Sequence, residues 1–478
     1  MRDPPRDGGI PDGRRRPRDL WTRLFCVAVS LLAFAAVALA ADPPLLVTVG
    51  EVTHQSAVIW ARLTGPGPLT LRYRREPDRF ESRQEVGLDP LTDFAWKFQL
   101  DRLTPDTRYS YRLNGGGQSV SGGFVTAPAP HESRSVSFLW SGDLGGGGHC
   151  RDRAEGFPIF LAMNRLRPDF FLFVGDTVYA DVRCAGVDKV PGSDFIAATL
   201  DQFRAKHRYN RADPAVQALF RSTSVYVIWD DHEVRNDYAG SVEPLMPVGR
   251  QAFLDYWPIR PPLEEPGRLY RSVRWGKLLE LFILDTRQYR SPNQEPDGPA
   301  KTMLGAAQRN WLIEGVSGSD AIWKIVVSSV SLSVPTGQAY RDSWSNANLL
   351  GFPEVTTGFA SERGLILGAL RDRSVKNLVW VAADVHHAEL IRHAPWPDFA
   401  FHELIAGPLR AGRGRPRPLD AGLNPLTLFG LGGTDNFGEV IVSPSGLTVR
   451  IIDDRGAVRG QIGLAPSSVT SLSPSARS

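Results

Sequence analysis

The sequence predicts a layered α/β core, with β-sheets flanked by helices, preceded by a small β-sandwich. Three observations carry this expectation. Between about residues 45 and 125, short runs alternate apolar and polar residues with a period of two, the pattern of half-buried strands. From Ser135 onward, apolar runs of strand length alternate with segments of helical spacing, the signature of stacked sheet and helix layers. The 478 residues are 42% hydrophobic and 22% charged, an ordinary globular balance with enough chain for more than one core.

The chain begins with a different texture. Residues 1–40 carry seven arginines and four aspartates, and Leu24 to Leu39 is an unbroken run of apolar and small residues ending in Ala-Leu-Ala. A basic start, a short apolar run and a small-residue end read as a signal peptide over residues 1–41. The run falls short of the roughly 20 residues a membrane span needs, so cleavage rather than anchoring is expected, with no mature transmembrane segment. Arg15-Arg16 hints at a twin-arginine route, although Pro17 and Asp19 stand where apolar residues should follow. Removing this +3 segment from a +3 chain leaves a mature protein near neutrality. Nothing global then favours nucleic acid as a partner, and a monomer is expected.

The sandwich is placed at residues 42–127. Ser56 to Leu63 and Leu69 to Glu76 alternate as strands, and Leu103 to Leu113 joins a proline turn to tyrosines two apart. That last pattern resembles the tyrosine corner of fibronectin type III and immunoglobulin-like sandwiches, with Tyr109 packed inward and its hydroxyl returned to the turn. Residues 126–130, alternating alanine and proline, form a linker. The α/β core is placed at 132–465 and a disordered tail, rich in serine, at 466–478.

Within the core, strands are expected at Ser135 to Asp143, Phe170 to Gly175, Val225 to Trp229, Leu278 to Leu284, Trp323 to Val330 and Leu378 to Ala383. Helices are expected at Phe157 to Leu166, Ala306 to Leu312 and Ser361 to Leu370, and a closing hairpin at Glu439 to Val442 and Leu447 to Asp453. Four of these strands run into acidic residues: Asp143; Asp176; Asp230-Asp231-His232-Glu233; and Asp384-Val385-His386-His387. Ligands of open α/β sheets bind outside the carboxyl ends of strands, so these groups should converge. Converging carboxylates repel, and bound cations are their natural partner. Oxygen ligands with a few histidines suit Mn, Fe, Zn, Mg or Ca rather than a thiolate-seeking metal.

The order Asp143, Gly175-Asp176 with Tyr179, Asp231-His232-Glu233, and Asp384 with His386 resembles the calcineurin-like metallophosphoesterases. More narrowly it is similar to the alkaline phosphatase D (PhoD) family, through Trp229 to Asp237, Leu284 to Arg290, Met303 to Gly305 with Gln308 and Trp311, and Asp342 to Trp344. The resemblance implies two or more metal ions, Fe(III) held by Asp143, Asp176, Tyr179 and His386, and Ca(II) or another divalent ion held by Asp176, Asp231 and Asp384, with Asn236 completing that shell or touching phosphate. It implies His232 as the acid that protonates the leaving group, and Arg235 and Arg287 as phosphate clamps through their forked guanidinium groups. The implied activity is hydrolysis of phosphate esters by a metal-activated hydroxide, as an exported alkaline phosphatase or phosphodiesterase. The chain departs from the wider superfamily in carrying Asp231 and Asp384 where asparagine and histidine are usual, which favours a harder second metal. It also lacks a histidine in residues 326–335, where many relatives place a ligand.

Lesser signals have two readings each. Cys150 and Cys184 follow metal-bearing strand ends closely and are expected to pair in an oxidising compartment, bracing the rim; otherwise they are free thiols. The glycines at 145–148 are a flexible rim loop or a phosphate cradle. Phe203 to Tyr209 either covers the pocket or is an amphipathic helix. His387, His393 and His402 are expected to be structural. The alternative function is an extracellular binding or adhesion protein with an inactive phosphatase-like domain.

Overall fold

The computed structural model describes residues 45–346 and 356–467. The expected signal peptide and most of the expected tail lie outside the described residues. Seven strands come first: β1 (Leu45–Gly50), β2 (Ala57–Leu63), β3 (Gly67–Arg75), β4 (Ser82–Leu88), β5 (Ala95–Leu100), β6 (Arg108–Gly115) and β7 (Gln118–Val125). One four-stranded sheet runs β4-β3-β6-β7, and β1, β2 and β5 form a second antiparallel layer. Leu69, Leu71, Tyr109, Tyr111 and Phe124 from the first layer share one apolar cluster with Val47, Val49, Ile59 and Phe98 from the second. Tyr109 is buried, and its hydroxyl accepts the backbone N–H of Thr104 at 2.9 Å, fixing the turn before β6.

The core strands follow as β8 (Val136–Ser141), β9 (Phe170–Val174), β10 (Ser224–Ile228), β11 (Arg271–Trp275), β12 (Leu279–Ile283), β13 (Trp323–Val327), β14 (Leu378–Ala382), β15 (Ala388–Trp396), β16 (Phe399–Ile405), β17 (Pro425–Leu431), β18 (Asn436–Ser443), β19 (Gly446–Asp453) and β20 (Val458–Leu464). A nine-stranded sheet is ordered β20-β19-β18-β8-β9-β10-β1-β2-β5, and a seven-stranded sheet β11-β12-β13-β14-β16-β15-β17. The layer β1-β2-β5 is thus continuous with the sheet of the α/β core, through the parallel pairing of Gly50 with Val225.

The period-two alternation of the strands builds the layers. Leu279, Leu281 and Ile283 of β12 face the large core shared by the two long sheets, while Phe282 faces the opposite side. That opposite side is covered by α5 (Gly305–Gly318) and α6 (Ala360–Asp372), both longer than the apolar spacing predicts. The nine-stranded sheet is covered by α1 (Ile159–Leu166) and α3 (Pro214–Phe220), with α2 (Leu200–Arg211) and α4 (Met246–Tyr256) packed on each other nearby. Among the described residues no helix is long and apolar enough to cross a membrane.

Candidate active site

Strands β8, β9 and β10 lie side by side and parallel, so the turns that follow them leave the sheet at the same edge. Strand β14 of the facing sheet brings a fourth turn. Asp143, Asp176 and His386 bring ligand atoms within 4.8 Å of one another, and so do Asp176, Asp231 and His232. Asp176 belongs to both groups and therefore stands between two cation-sized sites. The backbone is strained to achieve this: Asp143, Asp176, Asp384 and His386 all have positive φ, at 63°, 48°, 68° and 59°. Each such residue costs on the order of 1 kcal/mol and persists because its surroundings fix it. Gly175, at φ 83°, permits the second turn, since a Cβ there would lie 2.6 Å from the Asp230 Cβ. Glu233 ties the turns together, accepting from the Thr177 N–H at 2.6 Å, the Thr177 hydroxyl at 2.7 Å and the Asp230 N–H at 2.9 Å.

The electrostatics of the cluster call for positive charge. Asp143 is 1% exposed, and neither of its carboxylate oxygens has a hydrogen-bond partner among the described residues. One oxygen each of Asp231 and Asp384 is equally unpartnered. Burial pushes the carboxyls of Asp143, Asp176 and Asp384 well above the usual range, and the neighbouring Asp230 and Asp231 push them further. Burial acts the same way on Asp231, but Arg287 and His232 beside it hold it below that range. Two carboxylates about 4 Å apart repel by about 4 kcal/mol at a typical effective dielectric, more than a hydrogen bond returns. Cations in the two groups relieve that repulsion, so the donor set fits a metal pair.

Tyr179 is buried with its hydroxyl 3.1 Å from His386 Nε2, and burial followed by Asp176 raises its phenol above the ordinary value. Burial, then the charge of His232, depresses His386 to about 4, which keeps its ring neutral. His232 behaves oppositely. Burial lowers it, but Asp231 and the hydrogen bond to Asp181 prevail and raise it to about 9. Its Nδ1 lies 2.8 Å from Asp181 Oδ1, its ring stacks on Tyr179 at 4.1 Å, and the other Asp181 oxygen accepts the Asn236 N–H at 2.8 Å.

A cleft of about 670 Å³ opens over these turns, lined by Asp176, Asp231, His232, Asn236, Asp384 and His386 among the expected residues. Asp143 and Tyr179 are buried alongside their partners. The expected phosphate clamps are not brought there. Arg287 is 0% exposed: its Nε lies 2.6 Å from Asp230, its Nη1 2.8 Å from Asp342, and its Nη2 3.8 Å from Asp231. Every edge of its fork faces a protein carboxylate, so the structure places Arg287 behind Asp231 and not in the cleft lining. Arg235 is exposed outside the cleft lining, with Glu243 3.7 Å away. Cys150 and Cys184 form a disulfide, S–S 2.08 Å. His387 and His393 are buried against Glu389 and Glu403.

The structure adds residues that sequence reasoning missed. Asp181 sits two positions after Tyr179, so its place in the same turn was a readable signal. Asp237 lines the cleft and groups with Asp231 and Asp342, although Asp342 also pairs with Arg287 and Arg290. Thr336, Gln338, Arg413 and Arg417 come from loops whose course no local pattern announces.

Comparison with known proteins gives the family and the fold. The profile of the PhoD-like phosphatase family matches residues 146–438. Alkaline phosphatase D of Bacillus subtilis (strain 168) is 25% identical over 388 residues, which cover 70% of this chain and 63% of that protein. The chain thus spans less than two thirds of the curated relative it matches. A solved structure of PhoD covers 89% of this chain and 92% of its own, at 20% identity and a TM-score of 0.71, a likeness of fold. With a family profile matched over more than half its length, the chain belongs to the PhoD-like phosphatase family.

Proposed function

We propose that the chain is an exported, metal-dependent phosphoesterase that hydrolyses phosphate esters, as an alkaline phosphatase or phosphodiesterase. The observation that carries this reading is the pair of ligand groups sharing Asp176, in which both oxygens of Asp143 and one of Asp231 lack donors among the described residues, beneath a cleft that also holds His232. Asp143, Asp176, Tyr179 and His386 would hold one ion, for which the phenol ligand favours Fe(III). Asp176, Asp231 and Asp384 would hold the other, Ca(II) or another divalent ion, with Asn236 beside it. When bound, such ions supply Lewis-acid neutralisation of the phosphoryl oxygens and acidify a water.

The rest is the work of the chain. Asp181 occupies Nδ1 of His232, so Nε2 is the atom that would deliver a proton to the departing alkoxide. Tyr179 holds the plane of that ring. Arg287 fixes Asp231 through its own buried charge rather than by touching phosphate. The apolar start at residues 1–41 supports export, and residues 42–127 read as an accessory, fibronectin-III-like sandwich. An inert binding protein has no support in the comparisons. Assays with p-nitrophenyl phosphate and bis-p-nitrophenyl phosphate test the proposal. Release of p-nitrophenolate from either supports it, and no release from either, with Fe(III) and Ca(II) supplied, overturns it.

A further inference from the structure

One wall of the cleft is basic. After β16 the chain runs through Gly412-Arg413-Gly414-Arg415-Pro416-Arg417-Pro418, and Arg413 and Arg417 line the same cleft as Asp176, Asp231, Asp237 and Asp384. This loop is pinned to the metal-bearing turns. The Gly414 N–H donates to the His386 carbonyl at 2.7 Å, and a Cβ on Gly414 would lie 2.8 Å from the Val385 oxygen. Just upstream, the Arg410 N–H donates to the Asp143 carbonyl at 3.0 Å, and the Gly145 N–H donates to the Arg410 carbonyl at 2.7 Å. The arginines therefore sit at a fixed place relative to the acidic cluster.

Their charges are incompletely matched. Asp435 takes Nε and Nη2 of Arg413 at 3.0 and 2.9 Å and also Nη1 of Arg410 at 3.2 Å, one carboxylate between two guanidinium groups. Arg417 is exposed and has no ion-pair partner among the described residues, and it lines the cleft together with His386. The cleft, about 670 Å³, is the size of a site for a whole small molecule rather than for one phosphoryl group. A planar fork with a free edge is the side chain suited to a second phosphate or carboxylate.

We propose that Arg417, with Arg413 beside it, forms an anion subsite for a second negative group of the substrate, selecting phosphate esters that carry a further phosphate or carboxylate beyond the scissile one. This rests on the phosphoesterase reading above. The test compares two diesters that release the same p-nitrophenolate: thymidine 5′-(p-nitrophenyl phosphate), and the same compound bearing a 3′-phosphate. The metal-loaded protein should favour the 3′-phosphorylated diester in kcat/KM by about tenfold, the effect of one charge-assisted hydrogen bond. Arg417→Ala should bring that ratio close to one, chiefly through KM of the doubly charged substrate. Equal kcat/KM for the two diesters overturns the subsite. So does an Arg417→Ala loss shared equally by both, which would put Arg417 on the scissile phosphate. Hydrolysis of neither diester counts against the phosphodiesterase form of that reading instead, and calorimetry then decides the subsite. Tighter binding of adenosine 3′,5′-bisphosphate than of adenosine 5′-monophosphate, abolished in Arg417→Ala, supports it, and equal affinities overturn it.

Discussion

The His232 ring is held on one side by the Asp181 carboxylate and on its face by Tyr179, which leaves Nε2 as the nitrogen available to substrate. His232 also lies within ligand distance of Asp176 and Asp231, so acid and metal ligand are competing roles. His232→Ala should lower turnover by about 100-fold or more with the metal content measured by elemental analysis unchanged. Loss of metal together with turnover would make it a ligand. Arg287→Ala should instead act on stability, because it strands Asp230 and Asp231 without their shared cation. Removing one partner of a buried ion network costs about 3 to 5 kcal/mol, read as a lowered denaturation midpoint. A raised KM with unchanged stability would restore the clamp role. These two residues also mark how far the site was legible. Asp143, Asp176, Asp231 and Asp384 could be found because each follows an apolar strand, and Tyr179 and His386 because they sit in the same turns. The direction of the Arg287 side chain depends on Asp230 and Asp342, 57 and 55 residues away, and no local pattern encodes it.

At the scale of the element, segments with clean periodicity were readable and those that bury polar groups were not. The helix Leu200–Arg211 buries Arg204, Lys206, His207, Asn210 and Arg211. Its Lys206 ammonium donates to the carbonyls of Val182 and Ser193, and Asn210 donates to those of Leu144 and Thr177, so it braces the turns around Asp143 and Tyr179 rather than covering the cleft. A buried face made of charged residues gives no apolar stripe to read. The joining of β1-β2-β5 to the catalytic sheet was equally hidden, since strand pairing across 175 residues follows from packing. The segment after β13 shows another such device. Glu403 of β16 accepts from the Ser331 hydroxyl at 2.8 Å, the Leu332 N–H at 2.7 Å, the Ser333 hydroxyl at 2.6 Å and lies 2.9 Å from His393 Nε2. Burial alone would raise its carboxyl, but the bonds from His393, Ser333 and Ser331 outweigh it and hold Glu403 below the ordinary 4.5. A depressed value in the fold means stabilisation that is present above the unfolded value and lost as pH falls through the folded one. Glu403→Gln should therefore cost about 3 kcal/mol at neutral pH and flatten the stability-against-pH curve below the ordinary glutamate value. An unchanged acid limb in a urea titration series would contradict that anchoring role.

For the whole molecule, two packed sheets bring four turns to one edge, and the fold accepts strained backbone and buried, mutually repelling carboxylates there. Family membership agrees with that arrangement. The account depends on cations relieving the repulsion and supplying the chemistry in the same place. The most direct measurement is hydrolysis of p-nitrophenyl phosphate and bis-p-nitrophenyl phosphate by the purified protein before chelation, after exhaustive chelation, and after metal is restored. The account predicts activity that is lost on chelation and recovered with Fe(III) together with Ca(II) or another divalent ion. Hydrolysis that survives complete metal removal, or no hydrolysis in the fully loaded protein, would contradict it.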